Sequence, residues 1–242
     1  MGQHDSVQNS ANRRPITIVQ VVLLAVAAIA LIWVAAKLIG YSQGQQIYRS
    51  MQSAYAQDGG VDFNALAKDY PNAVAWIRMD DLETIDYPVM HGSDNDFYLH
   101  NDPKGESSVD GSIFLDYRNN AVSTDMHSIV YGHNMRDGSM FGTLRSYTDQ
   151  DFYRNGSDKF TVFTPTGTYR YQIFAINIVD PTDDTFLVGF SDSKTFGSFV
   201  DQLKANSMYD TGVGVTGYDQ IVTLSTCSSA DRLVVSAKRV RE

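Results

Sequence analysis

A single cysteine, Cys227, stands in 242 residues. One thiol excludes an intramolecular disulfide framework, and with it Cys₄ and Cys₂His₂ zinc sites within one chain. Positive charge is also short: 19 Lys and Arg face 28 Asp and Glu, a formal net charge of −9. A nucleic-acid binder needs a basic face to neutralise phosphates, so nucleic acid is excluded as a partner. Internal repeats and low-complexity stretches are absent. The length fits one folded domain of roughly 150 residues plus additional segments.

Charge is missing altogether from residues 16–36, ITIVQVVLLAVAAIALIWVAA, where only Thr17 and Gln20 are polar. A helix of that length spans about 30 Å, the hydrocarbon thickness of a bilayer. A cleaved signal peptide would carry a shorter apolar core and a small-residue cleavage site. Here Trp33 and then Lys37 close the run, so an uncleaved transmembrane anchor is expected over residues 16–39. Arg13 and Arg14 precede the run and Lys37 follows it. The positive-inside rule then places residues 1–15 in the cytoplasm and the chain beyond residue 40 outside, a single-pass protein of the cell membrane. That compartment permits disulfides, yet the domain carries one thiol, which favours a functional role for it.

Residues 42–57 are polar, with Ile47, Met51 and Tyr55 at four-residue spacing, and read as a stalk helix within residues 40–60. Residues 62–70 predict a short helix capped by Asp62 and closed before Pro71. The folded domain beyond the membrane is expected over residues 61–242. From Ala73 onward the texture changes to short runs rich in Val, Ile, Tyr and Phe: AVAWIRM, IDYPVM, GSIFLDY, SIVYGH, KFTVFTP, GTYRYQIFAINIV, QIVTLSTC and DRLVVSAKRV. Eight such strands predict a mainly β domain, either a closed barrel or a sandwich. One helix interrupts them. In residues 192–206, Phe196, Phe199, Val200 and Leu203 fall on one face, inside a long connection between two strands. Such a connection builds a binding wall or covers a barrel edge.

Cys227 ends one strand, a polar stretch follows, and Arg232 begins the next strand. A guanidinium across a short turn favours the thiolate and donates a fork of hydrogen bonds to an oxyanion. A thiol nucleophile also needs a base. Of the five histidines, His4 lies in the cytoplasmic tail. His127 opens a strand that His133 closes, so only His133 shares the strand-end placement of Cys227. His91 is expected in a Met-His-Gly turn, and His100 stands in Tyr-Leu-His-Asn, both more typical of surface or locally bonded histidines.

The segment Thr223-Leu224-Ser225-Thr226-Cys227, followed by Arg232-Leu233-Val234-Val235, resembles the signature of the sortase transpeptidases. Tyr131-Gly132-His133-Asn134-Met135, Asp94-Asn95-Asp96-Phe97-Tyr98-Leu99 and Gly111-Ser112-Ile113-Phe114-Leu115-Asp116-Tyr117 are similar to class B members. The resemblance implies a closed eight-stranded β-barrel with N-terminal helices, a helix in the loop before the cysteine strand, and a site made of Cys227, His133 and Arg232. It implies cleavage of a C-terminal sorting signal, resembling Asn-Pro-x-Thr, on secreted proteins. The acyl half would be held as a Cys227 thioester and passed to an amine of cell-wall peptidoglycan in a Gram-positive-type envelope. Thr226, Ser225, Tyr131, Asn134 and Ser112 are candidate groove residues. Neither a metal nor an organic cofactor is required. Ser229 stands where some class B members carry an acid, and Asp231 is expected to pair with its neighbour Arg232. Alternatives are a pilus-assembling sortase that uses a pilin lysine, a cell-wall cysteine peptidase or L,D-transpeptidase, and a non-enzymatic anchored adaptor. The L,D-transpeptidases carry histidine and cysteine close together, whereas His133 precedes Cys227 by 94 residues.

Overall fold

The computed structural model describes residues 17–57, 59–156, 158–227 and 230–240, the side chains of residues 36–43 and of Cys227 excepted. The chain divides into two compact units, residues 1–40 and 41–242. Helix α1 (Ile18–Tyr55) contributes to both. In the first unit, Ile18–Ala35 has a mean hydropathy of 2.8 and none of it is buried, so its length and composition suffice to cross a membrane. The expected tail, with His4, Arg13 and Arg14, lies outside the described residues.

The second unit is built on a barrel. Its further elements are α2 (Phe63–Asp69), β1 (Ala73–Met79), β2 (Asp86–His91), α3 (Phe97–His100), β3 (Ile113–Leu115), β4 (His127–His133), α4 (Gln150–Asn155), β5 (Lys159–Thr164), β6 (Gly167–Val179), α5 (Ser193–Ala205), β7 (Ile221–Cys227) and β8 (Arg232–Val240). The strands close in the order β1-β2-β3-β4-β7-β8-β6-β5, and β5 returns to β1. All eight strand segments read from the sequence are present. Alternation along each strand then sorts side chains into an inner and an outer set. Val130 on β4, Val222 and Leu224 on β7, and Val235 and Ala237 on β8 belong to the barrel core. The residues between them face outward.

Two apolar layers cover the outside. Trp76, Met90 and Phe114 pack with Met51 of α1 and Leu66 of α2. Phe196, Phe199, Val200 and Leu203 of α5 pack with Phe174, Ala175 and Ile221. Asp192 caps α5 by accepting from the Lys194 and Thr195 amides, and Asp62 caps α2 through the Ala65 amide. The stalk expected over residues 40–60 is helical as far as Tyr55, but it does not stand clear of the domain. Tyr48 and Met51 are buried against the barrel, and the Tyr48 hydroxyl donates to the Gly111 carbonyl at 2.6 Å. The four-residue spacing of Ile47, Met51 and Tyr55 is thus a packing stripe.

Asp110 lies under this helix, 2% exposed, and its Oδ1 has no hydrogen-bond partner among the described residues. Burial, reinforced by the Asp137 charge, pushes its pKa up to about 6. The folded-state pKa thus lies above the unfolded value. The cost of holding the carboxylate is therefore present above pH 6 and fades as pH falls through that value. Asp110→Asn is expected to stabilise the domain by about 1–3 kcal/mol at pH 7.5 and by clearly less at pH 5. Thermal unfolding at the two pH values checks this; an equal gain at both would exclude the buried charge as the cause.

Candidate active site

Strands β4 and β7 run parallel and pair from His127↔Ile221 to His133↔Cys227. The two strand ends therefore place His133 and Cys227 side by side, although 94 residues separate them in the chain. Strand β8 returns antiparallel beside β7, with Ser225 opposite Val234, so Arg232 opens β8 at the same pole of the barrel. Its partner on the other side is Val179 of β6. Alternation puts positions 133 and 232 on the outer face, because Val130 and Val235 point inward. The helix α5 covers the opposite end of this face, where His127 meets Phe199 with ring centroids 5.1 Å apart.

His133 is half-buried, and its Nε2 lies 2.7 Å from the Leu99 carbonyl oxygen. A carbonyl only accepts, so Nε2 carries the proton of the neutral ring and Nδ1 holds the free lone pair. Burial lowers the His133 pKa; the Leu99 bond opposes this, and the charges of His100 and Arg232 push it further down. Arg232 thus acts electrostatically on the imidazole as well as sharing its end of the barrel.

Two glycines make this arrangement possible. Gly111 has φ +56°, and a Cβ there would lie 2.5 Å from the Leu99 oxygen and 2.9 Å from the Tyr98 oxygen. The 110–112 segment can therefore lie directly against the turn that holds His133. Gly132 faces inward beside His133, where a methyl group would overlap Ile113 Cδ1 and come within 2.8 Å of Phe141 Cδ2. Gly132→Ala is expected to cost about 1–3 kcal/mol through overpacking and to disturb the adjoining histidine. A denaturant titration measures the first effect, and the His133 imidazole chemical shift the second; a wild-type midpoint would show that the core yields there without cost.

The other candidate residues fall into three settings. Tyr131 is half-buried on the outer face, and its hydroxyl donates to Asp116 Oδ2 at 3.0 Å. Ser225 is its register partner; the Ser225 hydroxyl is buried and has no partner among the described residues. Thr226 and Ser112 are buried and engaged with backbone: Thr226 bridges the Leu233 amide and carbonyl at 3.3 Å each, and Ser112 donates to the Asn101 carbonyl at 2.8 Å. Asn134 is exposed and pairs with Met140, which sits at φ 53°. His100 is exposed at the end of α3, 3.5 Å from Asp96. Ser229 lies outside the described residues, and Asp231 is exposed. No cluster of three or more His, Cys, Asp or Glu able to hold a metal occurs among the described residues.

The sequence model of the Sortase domain family matches residues 77–240. The chain belongs to the sortase family. Its relatives are class B sortases. Sortase B of Listeria monocytogenes is 39% identical over 186 residues, covering 74% of this chain and 73% of that one. Sortase B of Staphylococcus aureus is 31% identical over 242 residues, covering 95% and 98%. The crystal structure of Bacillus anthracis sortase B in complex with AAEK1 superposes with a TM-score of 0.78 at 36% identity, covering 85% of this chain and 100% of that one. The S. aureus sortase B–substrate complex gives 0.70 at 30% identity, covering 82% and 92%. Sortases are cysteine transpeptidases, and this one is of class B.

What sequence reasoning missed in this sortase is the support around His133. Leu99 contributes only its carbonyl oxygen, and a backbone group leaves no trace in residue type. Asp116 gathers Asn95, Arg118 and Tyr131 from three separate segments. The sequence shows an arginine two positions after Asp116, but only the fold reveals that the carboxylate is buried and what it joins.

Proposed function

We propose that this sortase is anchored by Ile18–Ala35 in the cell membrane, N-terminus inside, and that its barrel works on the outer side. There it would cleave an Asn-Pro-x-Thr-like C-terminal signal of secreted proteins and join the acyl half to a peptidoglycan amine. The observation that carries this reading is the pairing of Cys227 with His133 at the ends of two parallel strands, with Arg232 at the same pole. The charge-free span with Arg13 and Arg14 before it supports the anchor and its orientation.

In this reading the Cys227 thiol gives its proton to the free Nδ1 of His133 as the sulfur attacks the threonine carbonyl carbon, and the carbonyl electrons move onto the oxygen. Arg232 donates to that oxyanion. Nδ1 of His133 delivers its proton to the departing amine, leaving a Cys227 thioester. The incoming amine then attacks the thioester, gives its proton back to Nδ1, and expels the thiolate as the new amide forms. The depressed His133 pKa suits it to surrender a proton.

The test is a cleavage assay on a library of C-terminal signal peptides, with the thioester trapped by amines of peptidoglycan stem and cross-bridge peptides and by pilin-type lysine peptides in parallel. Turnover of Asn-Pro-x-Thr peptides with capture by the peptidoglycan amine is expected. Capture by lysine peptides alone would replace the acceptor assignment with pilus assembly, and cleavage confined to other motifs would overturn the signal.

A further inference from the structure

The outer face of β4 and β7 has a wall as well as a floor. A short 3₁₀ turn, Asp184–Phe186, in the connection between β6 and β7 lies over it. The Phe186 ring stacks on Tyr131 with centroids 6.3 Å apart and planes 26° apart. Tyr131 is the outer-face residue immediately before His133, in register with Ser225. Leu187, next in the chain, is 47% exposed and free to meet a peptide.

Two successive carbonyls of this segment are gripped. Arg118 Nη2 donates to the Phe186 oxygen at 3.0 Å, and His127 Nδ1 lies 2.7 Å from the Leu187 oxygen. Both grips are rigid. Arg118 is forked onto Asp116 through Nε and Nη2 at 2.8 and 2.7 Å, and Asp116 is fully buried. The same carboxylate accepts from the Tyr131 hydroxyl at 3.0 Å, so one anion ties the floor to the wall. His127 is 1% exposed; because a carbonyl only accepts, its Nδ1 donates and its Nε2 accepts from Thr223 at 2.9 Å. Thr223 in turn lies 2.9 Å from Ser236 Oγ. Burial holds His127 neutral, with a pKa near 4, so this donor pattern persists at neutral pH.

We propose that Arg118 and His127 are positioning residues that clamp the Phe186 and Leu187 carbonyls, and so set the wall against which this sortase selects its peptide. The segment would present the Phe186 ring and the Leu187 side chain to the residues preceding the scissile bond of an extended peptide. The proposal rests on the peptide-transfer reading above, and its test separates the two. Without the clamp, the wall would sample wider positions and bind peptide less well, while Cys227, His133 and Arg232 would be untouched.

The variants are R118M, R118K, F186A and the R118M/F186A pair. For R118M, KM for the signal peptide is expected to rise about tenfold while kcat stays within about twofold. Labelling of Cys227 by iodoacetamide should be unchanged, and amide exchange at Leu187 faster. R118K should recover most of the KM, and the double variant should be little worse than R118M alone, because both changes remove the same wall. An unchanged KM with unchanged exchange would overturn the clamp, as would parallel losses in kcat and labelling. If R118M fails to fold, F186A carries the test, since it spares the Asp116–Arg118 pair; a wild-type KM for it would remove the wall. A wild-type enzyme that cleaves no signal peptide refutes the transfer reading instead, and the Leu187 exchange comparison then decides the clamp alone.

Discussion

Cys227→Ala is expected to lower peptide transfer by on the order of 10³-fold or more and to abolish the acyl-enzyme species in intact-mass spectra. The expectation is strong because a transpeptidase must hold the acyl group covalently while one amine leaves and another arrives. Binding and oxyanion stabilisation can persist without the nucleophile, but they supply no bond to store the acyl group. The single cysteine makes the test clean: no second thiol in the chain can substitute. Position 227 is the last residue of its strand, so the unfolding midpoint should stay within a few degrees of wild type. A variant that still forms a mass adduct with signal peptide would sink the assignment of Cys227.

Arg232→Lys is expected to reduce kcat about 10²-fold, roughly 2.7 kcal/mol of transition-state stabilisation, with the fold unchanged. Lysine keeps the positive charge but lacks the planar fork that can meet an oxyanion with two donors. The substitution therefore separates two effects of Arg232. Its charge helps hold the His133 pKa down, and lysine preserves that effect. The pH limb belonging to His133 should thus stay in place while the plateau falls. Arg232→Gln should lower the plateau and also move that limb upward, because the repelling charge is gone. Near-native turnover with lysine would show that charge alone suffices and would remove the fork from the mechanism.

These effects depend on three residues that only a barrel brings to one place. The barrel permits a parallel pair between β4 and β7, whose N-terminal ends carry His127 and Ile221 and whose C-terminal ends carry His133 and Cys227. The same register that joins His133 and Cys227 sends His127 to the far end, under α5, where it serves as a buried neutral donor. Two histidines six positions apart on one strand therefore have opposite settings: one half-buried near a guanidinium, the other sealed beneath Phe199. Alternation places both on the same outer face. Their difference arises from what lies above them.

Much of this was legible in the chain. Strands are short, alternating and punctuated, and each of the eight read from pattern is a strand of the barrel. The amphipathic face of α5 was visible because burial of Phe196, Phe199, Val200 and Leu203 needs a 3.6-residue period. The lone thiol, a histidine at a strand end and an arginine opening the next strand were also legible, and the strands bring the three positions to one pole of the barrel. Residues 42–57 were harder. Their polar composition suggested a spacer, yet Ile47, Tyr48, Met51 and Tyr55 within about two and a half turns suffice to dock a helix when a partner surface is waiting. Local sequence by itself determined the element types, the membrane-compatible span and the residues able to react, because these follow from periodicity, hydropathy and functional-group chemistry. Only the tertiary structure decided which nitrogen of His133 is free, which carbonyl orients it, and which buried carboxylate joins Tyr131 to Arg118. Those depend on backbone atoms and on segments far apart in the chain, whose meeting is set by strand register and closure of the barrel.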